Sequence, residues 1–504
     1  MRTLYSLIFL LLLGSLPAPA LAADEAAALN WQPFTPALFA EAKRTHKPVF
    51  LYLEAVWCHW CHVMQRETFT DAAVQAELQQ HWLITRVDHD ANPLLANRYR
   101  DYGWPALIFF NSEGKEVVKR AGFIAAEPFA QLLSAIVADP TPEQAEAAPA
   151  VASVAASAAL TAKVRKTLMA RHSKNYDTLR GGLRTTQKYL DRDSIEYALA
   201  LAAAGDRTEG RRVRQTLAAA RALIDPVWGG IYQYSTNGDW SHAHFEKIMR
   251  AQSKSLAVYA EAYGQLHDAA DLASAQAVRN YLLNFLRSPQ GAFYVSQDAD
   301  AVPGEKATTY FELGDAARRA IGLPKTDQHV YAQENGQAIE ALATLARTAN
   351  DAVALEAAIT AAQWVKANRA NSDGSFKHDA ASEGLYLGDT LHMARGFLAL
   401  YRATHDAAWL GDAKLAAAAI TATFRGEGAG YLTASALGAV VEPPRITEEN
   451  IPAARFFAAL AKATGDQAWL SAADHALAWL YQPEVALESF TEPGILLAEK
   501  ERQQ

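Results

Sequence analysis

The only two cysteines of this 504-residue chain stand three apart, in Trp57-Cys58-His59-Trp60-Cys61-His62. They follow an apolar run, Val49-Phe50-Leu51-Tyr52-Leu53, and precede helix-forming residues. A strand-like run that ends in C-x-x-C and turns into a helix is the pattern of a thiol–disulfide redox site. At a helix N-terminus, unpaired backbone N–H groups and the helix dipole favour a thiolate at Cys58. His59 and His62 add positive charge beside it and tune the thiols. Cys61, on the same helical face, is placed to resolve a mixed disulfide. Glu54, four residues before Cys58, reads either as a proton shuttle to Cys61 or as an ordinary strand-end carboxylate.

Other chemistry uses the same letters. Cys58 to His62 also spells C-x-x-C-H, the pattern of c-type haem attachment. Cys and His at short spacing are zinc ligands as well. A purely structural disulfide is the fourth reading, but a two-residue gap closes too small a loop to add much stability.

The surrounding elements favour redox chemistry. A helix is expected over 31–46 and a strand over 47–53, then an active-site helix over 58–65 and another over 71–80. A strand Leu83 to Asp88 and a short helical piece over 93–102 follow. An apolar strand opened by Pro105 leads through the turn Asn111-Ser112-Glu113-Gly114-Lys115 to a last strand over 116–119 and a helix over 127–137. The order β-α-β-α-β-β-α is the thioredoxin arrangement. Pro105 stands where that fold places a cis-proline facing the cysteine pair. Haem attachment predicts neither the sheet nor the proline. No bound cofactor and no metal are expected, only a redox-active Cys58–Cys61 disulfide.

Residues 139–159 are rich in Pro, Glu and Ala and read as a linker. From 160 to 504 the pattern is helical and loosely repetitive. Tyr263-Gly264-Gln265-Leu266-His267-Asp268, Tyr401-Arg402-Ala403-Thr404-His405-Asp406 and Ala461-Lys462-Ala463-Thr464-Gly465-Asp466 each end one helix and turn into the next. Repeated helical hairpins mean a solenoid or a closed toroid, and the long, irregular repeat favours an all-α (α/α)6 toroid. Three patches in it are dense in polar groups: His242 to Lys247 with His244 and Glu246, then Asp298-Ala299-Asp300, then Asp389. A carboxylate pair with a nearby His suits acid–base chemistry on sugars. The plainer alternatives are turn or cap roles for Asp298 and Asp300 and an internal Glu246–Lys247 ion pair.

A formal charge of −8 without a basic cluster argues against nucleic acid as a partner. Met1-Arg2, an apolar core from Leu4 to Leu13 and Ala20-Leu21-Ala22 read as a signal peptide over 1–22. The chain is therefore expected to be exported, periplasmic in a Gram-negative host, and not membrane-embedded once the signal is removed.

Cys58-His59-Trp60-Cys61-His62-Val63-Met64, followed by Arg66-Glu67-Thr68-Phe69, resembles the YyaL / spermatogenesis-associated thioredoxin-like family. Gly103-Trp104-Pro105, Gly181-Gly182 with Lys188-Tyr189, His244-Phe245-Glu246-Lys247 and Asp298-Ala299-Asp300 are similar to further motifs of that family. The chain departs from its pattern at Ala243, at Ala251-Gln252 and over 184–187. The resemblance implies a thioredoxin-like α/β domain (23–138) fused to a toroid of six-hairpin glycosidase type (160–504). The function expected from the residues is an exported thiol–disulfide oxidoreductase acting on a protein client or redox partner, with a toroid that recruits client or glycan. The alternative is a carbohydrate-binding or carbohydrate-active protein with an accessory redox domain.

Overall fold

The computed structural model describes residues 29–143, 159–305, 307–435 and 441–504. The signal-peptide reading (1–22) lies outside the described residues, as does all of the 139–159 linker except its ends.

Four strands make the first sheet: β1 (Val49–Glu54), β2 (Leu83–Asp88), β3 (Ala106–Phe110) and β4 (Glu116–Ala121), in the order β2-β1-β3-β4. β1 runs parallel to β2 and antiparallel to β3, which pairs antiparallel with β4. Every residue of β1 is buried, because both faces of the sheet are covered. Alternation along the strand sorts its side chains. Phe50 and Tyr52 enter one core with Trp57, Phe69, Phe109 and Phe129; Val49, Leu51 and Leu53 enter the other with Leu38, Leu95, Ile108 and Phe110.

The covering helices are α1 (Pro36–Thr45), α2 (His59–Val63), α3 (Ala72–His81), α4 (Pro93–Arg98) and α5 (Ala126–Ala138). α1 is shorter than the expected 31–46. Proline suits the first turn of a helix but not its interior, so Pro36 sets the start. Trp31 packs instead on Phe50 and Tyr52. The active-site helix also differs: it changes from α to π geometry at Met64–Thr68.

In the second unit, six helices form an inner ring: Arg192–Ala203, Met249–Leu266, Ala332–Ala349, Leu387–Thr404, Thr447–Thr464 and Pro493–Arg502. Each packs on the next, and the last returns to the first. Arg207–Ala220, Ala269–Tyr281, Ala352–Arg369, Ala407–Thr423 and Ala468–Leu480 form the outer layer. Ala162–Lys174 packs on Pro493–Arg502 and completes the sixth pair. The (α/α)6 toroid expected from the repeats is present.

A repeated device ties its hairpins together. Gln252 donates to the Ile231 carbonyl and accepts from the Ile231 N–H at 2.6 and 2.7 Å. Asn335 clasps Phe293 in the same way, at 3.0 and 2.8 Å, and Asn450 clasps Tyr431 at 3.0 and 2.7 Å. Each amide sits at the fourth position of an inner helix and satisfies the buried backbone of the preceding loop. An unmet group there costs about 1–3 kcal/mol. Gln252, a departure from the family pattern, has this structural use.

Buried lysines hold the Gly-Gly turns. Lys188 donates to Asp177 at 2.7 Å and to the Leu183 carbonyl at 2.6 Å. Lys247 donates to Asp225 at 2.7 Å and to the Gly229 carbonyl at 2.9 Å. The expected Glu246–Lys247 pair is therefore replaced by Lys247–Asp225. Arg318, itself fully buried, reaches the same Asp225 oxygen at 2.8 Å. Gly229 and Gly230 are required here: both have φ above +70°, and a Cβ on Gly230 would lie 2.5 Å from the Tyr281 ring.

Candidate functional site

Cys58 and Cys61 form a disulfide. Cys58 is the N-cap of α2, and the Cys61 N–H donates to its Sγ at 3.2 Å. That contact, with the N-terminal helix dipole, would hold a thiolate at Cys58 after reduction. Tyr52, beneath the site, donates its hydroxyl to the Cys61 carbonyl at 3.1 Å. Pro105 opens β3, and the Trp104–Pro105 peptide bond is cis. Trp57 and Trp104 meet edge to face at 5.0 Å. Both cysteines are buried, whereas Trp60 between them is 46% exposed and lies against Phe123.

Glu54 is buried, and its two oxygens are taken by Arg86 and Gln65. Burial raises its carboxyl above the usual value, against the pull of Arg86. The position is that of an ion-paired strand-end carboxylate.

The histidines of the motif face the toroid. His59 Nδ1 lies 2.9 Å from Asp300 Oδ1, a contact between residues 241 apart in the chain. His62 Nδ1 lies 3.3 Å from Asp300 Oδ2 and 3.6 Å from Asp298 Oδ2. Asp298 and Asp300 are also the turn residues of the plainer reading: Asp298 Oδ1 accepts from the Asp300 N–H at 3.0 Å, and Asp300 Oδ2 from the Gly304 N–H at 2.7 Å. The hydrogen bond to Asp300 raises the His59 imidazole; burial opposes the same rise at His62. Burial would raise Asp300, but the two histidines hold it below the usual carboxylate range. Burial pushes Asp298 up to about 6 and Glu246 up to about 7, the latter aided by the charges of Asp298 and Asp300. His244 stacks on Tyr234 at 4.3 Å; burial, with the charge of His59, lowers it.

Asp389 belongs to a second cluster at the junction of the two units. Its Oδ1 accepts from His378 Nδ1 and from the Gln333 N–H, both at 2.9 Å. His378 Nε2 donates to the Asp90 carbonyl of the first unit at 2.7 Å, and Asp90 in turn accepts from Trp57 Nε1 at 2.7 Å. A cavity of about 270 Å³ lies here, lined in part by Asp90, Trp104, Met249, Glu334 and His378. Sequence reasoning missed His378, Asp90 and Glu334. His378 is a lone histidine in a loop, and its partner in the first unit lies 288 residues away.

Burial disfavours the charged form of His378, but Asp389 outweighs it and the imidazole rises to about 9. A folded-state value above the free 6.5 contributes stability that is complete below 6.5 and lost as pH rises through about 9. Replacing His378 with Gln should therefore lower the unfolding midpoint most below about pH 6.5, and the gap from the parent should close as pH passes about 9. A gap independent of pH would show that the pair is uncharged.

Residues 13–138 match the family model Thioredox_DsbH, described as a protein of unknown function, DUF255. That segment is a DsbH-like thioredoxin domain. A protein of Caenorhabditis elegans is 23% identical over 316 residues, 56% of this chain and 43% of that protein. Spermatogenesis-associated protein 20 of Mus musculus is 23% identical over 317 residues, 55% and 39% of the two chains. The matches thus span less than half of either relative. Thiol:disulfide interchange protein DsbD 1 of Pseudomonas aeruginosa is 38% identical over 95 residues, 17% of this chain and 16% of that one. The crystal structure of a sugar epimerase from a ruminal bacterium superposes with a TM-score of 0.50 at 13% identity, over 64% of this chain and 86% of that one. The last likeness is one of fold. The chain is homologous to spermatogenesis-associated protein 20 and joins a DsbH-like thioredoxin domain to an (α/α)6 toroid, as the motifs led us to expect.

Proposed function

We propose that the protein is an exported thiol–disulfide oxidoreductase, with Cys58 as nucleophile and Cys61 as resolving thiol. One observation carries the reading: the Cys58–Cys61 disulfide caps the helix that follows the central strand, with the Cys61 N–H aimed at Cys58 Sγ. In the reducing direction the Cys58 thiolate attacks a client disulfide. A Cys58–client bond forms, and the client's other sulfur leaves as a thiolate and takes up a proton. Cys61, as thiolate, then attacks Cys58 Sγ, which releases the second client sulfur and re-forms Cys58–Cys61. The client gains two electrons and two protons, and the protein loses them; client oxidation is the reverse. Pro105 shapes the edge on which an extended client lies. Exposed Trp60 with Phe123 offers that client an aromatic rim. Export to the periplasm fits the disulfide and the similarity to DsbD.

A second reading, saccharide binding at the toroid, is favoured by one observation: the buried Glu246 carboxyl, raised to about 7 by burial and by the charges of Asp298 and Asp300. One experiment separates the two. Cys61→Ser should accumulate a mixed disulfide with a reactive model substrate, because resolution is lost while attack remains. Failure to trap any adduct, together with saccharide binding that Glu246→Gln abolishes, would favour the second reading.

A further inference from the structure

The His62–Asp298–Asp300 cluster is arranged to take a positive charge, either a proton or a metal ion. His62 Nε2 lies 3.0 Å from the Val56 carbonyl oxygen. That oxygen can only accept, so Nε2 bears a hydrogen. The other ring nitrogen, Nδ1, then directs its lone pair at two carboxylate oxygens unless something positive lies between them. A backbone carbonyl that orients one imidazole nitrogen while the other faces an ion is the usual support of a histidine metal ligand.

The spacing agrees. Charge-assisted N–H···O contacts lie at about 2.7–2.9 Å, whereas His62 Nδ1 stands 3.3 and 3.6 Å from the two aspartate oxygens. With metal–ligand bonds of about 2.0–2.2 Å, adjacent ligands of a tetrahedral ion are about 3.4 Å apart. The ligand atoms of the three residues all lie within 4.8 Å of one another.

A separate residue points to the same place. Glu246 is 5% exposed, and its Oε2 is buried with no hydrogen-bond partner among the described residues. It lies close enough to Asp298, Asp300 and His59 for their charges to act on it. A buried carboxylate oxygen left unpaired is costly, and the charge of a cation held by His62, Asp298 and Asp300 would ease that cost.

The geometry points to a first-row divalent cation site, Zn²⁺ or Mn²⁺, held by His62 from the thioredoxin domain and by Asp298 and Asp300 from the toroid. One imidazole with carboxylates suits these ions. The ion replaces the proton between His62 and the aspartates and ties the two domains together directly beside the disulfide. Ion binding does not depend on thiol exchange and takes place with the disulfide intact.

The test uses the full-length oxidised protein, stripped with a chelator, so that no thiolate competes for metal. Zn²⁺ alone and Mn²⁺ alone are titrated by calorimetry, and the thermal midpoint is followed in parallel. One equivalent of at least one ion should bind and raise the midpoint, since a ligand of the folded state stabilises it. Asp298→Asn and His62→Gln should each weaken binding at least about 10-fold. If Asp298→Asn fails to fold, His62→Gln decides. Absence of binding by either ion, or binding that the folded variants leave unchanged, overturns the site.

Discussion

Cys58→Ser should reduce disulfide exchange with a model substrate to the level of the buffer blank. Cys58 has no substitute, because the chain has two cysteines in all and a serine hydroxyl at neutral pH is neither ionised nor able to form the mixed disulfide. Cys61→Ser should behave differently. It keeps the attacking sulfur at the N-cap of α2 and stalls after the first step. Equal loss in both variants, without an adduct for Cys61→Ser, would mean that Cys58 is not the attacking group. The assay follows substrate thiol release against the variants' far-ultraviolet spectra, so that misfolding is not mistaken for lost chemistry.

Asp225→Asn should cost about 3–5 kcal/mol of stability, the typical penalty for breaking a buried charge pair. Asp225 is 1% exposed and its Oδ2 receives both Lys247 and Arg318, each fully buried. The amide keeps the shape and removes the charge, leaving two cations without a counter-ion. Lys247 rests 4.4 Å from the centre of the Tyr281 ring and Arg318 4.7 Å from that of Trp228. Those contacts soften the loss without replacing a carboxylate. Domains are stable by only about 5–15 kcal/mol, so the change should be plain in a urea midpoint. A midpoint within error of the parent would show that the Asp225 carboxylate contributes nothing net to the stability of this centre.

Much of the first unit was legible because its signals are local. Strand Leu83–Asp88 and the turn at Asn111-Ser112-Glu113-Gly114-Lys115 lie where alternation and turn chemistry put them. The toroid was legible from helical hairpins with Asp at the turns: Asp268 and Asp406 each cap the following helix, and Asp466 accepts from the Ala468 N–H at the start of its own. The joints between the units were not legible. His59 with Asp300, and His378 with Asp90, pair residues more than 240 positions apart, and nothing in a single sequence marks such partners. The Glu246–Lys247 expectation failed for a related reason. Neighbours on an extended segment point to opposite faces, so Lys247 turns into the Gly-Gly loop while Glu246 faces away from it. Asp298 and Asp300 were read as either turn residues or ligand residues, and their two oxygens let them be turn residues that also face the histidines.

The most direct measurement is the Cys58–Cys61 reduction potential, by equilibrating the protein with glutathione and dithiothreitol buffers and counting free thiols. The account predicts a reversible two-electron couple between about −120 and −270 mV, the span from DsbA to thioredoxin. A value near the lower end would mark a reductase that needs an electron supply, and one near the upper end a donor of disulfides. A bond that stays oxidised below about −300 mV, as structural disulfides do, or a pair that never oxidises, would contradict the claim that this site exchanges disulfides.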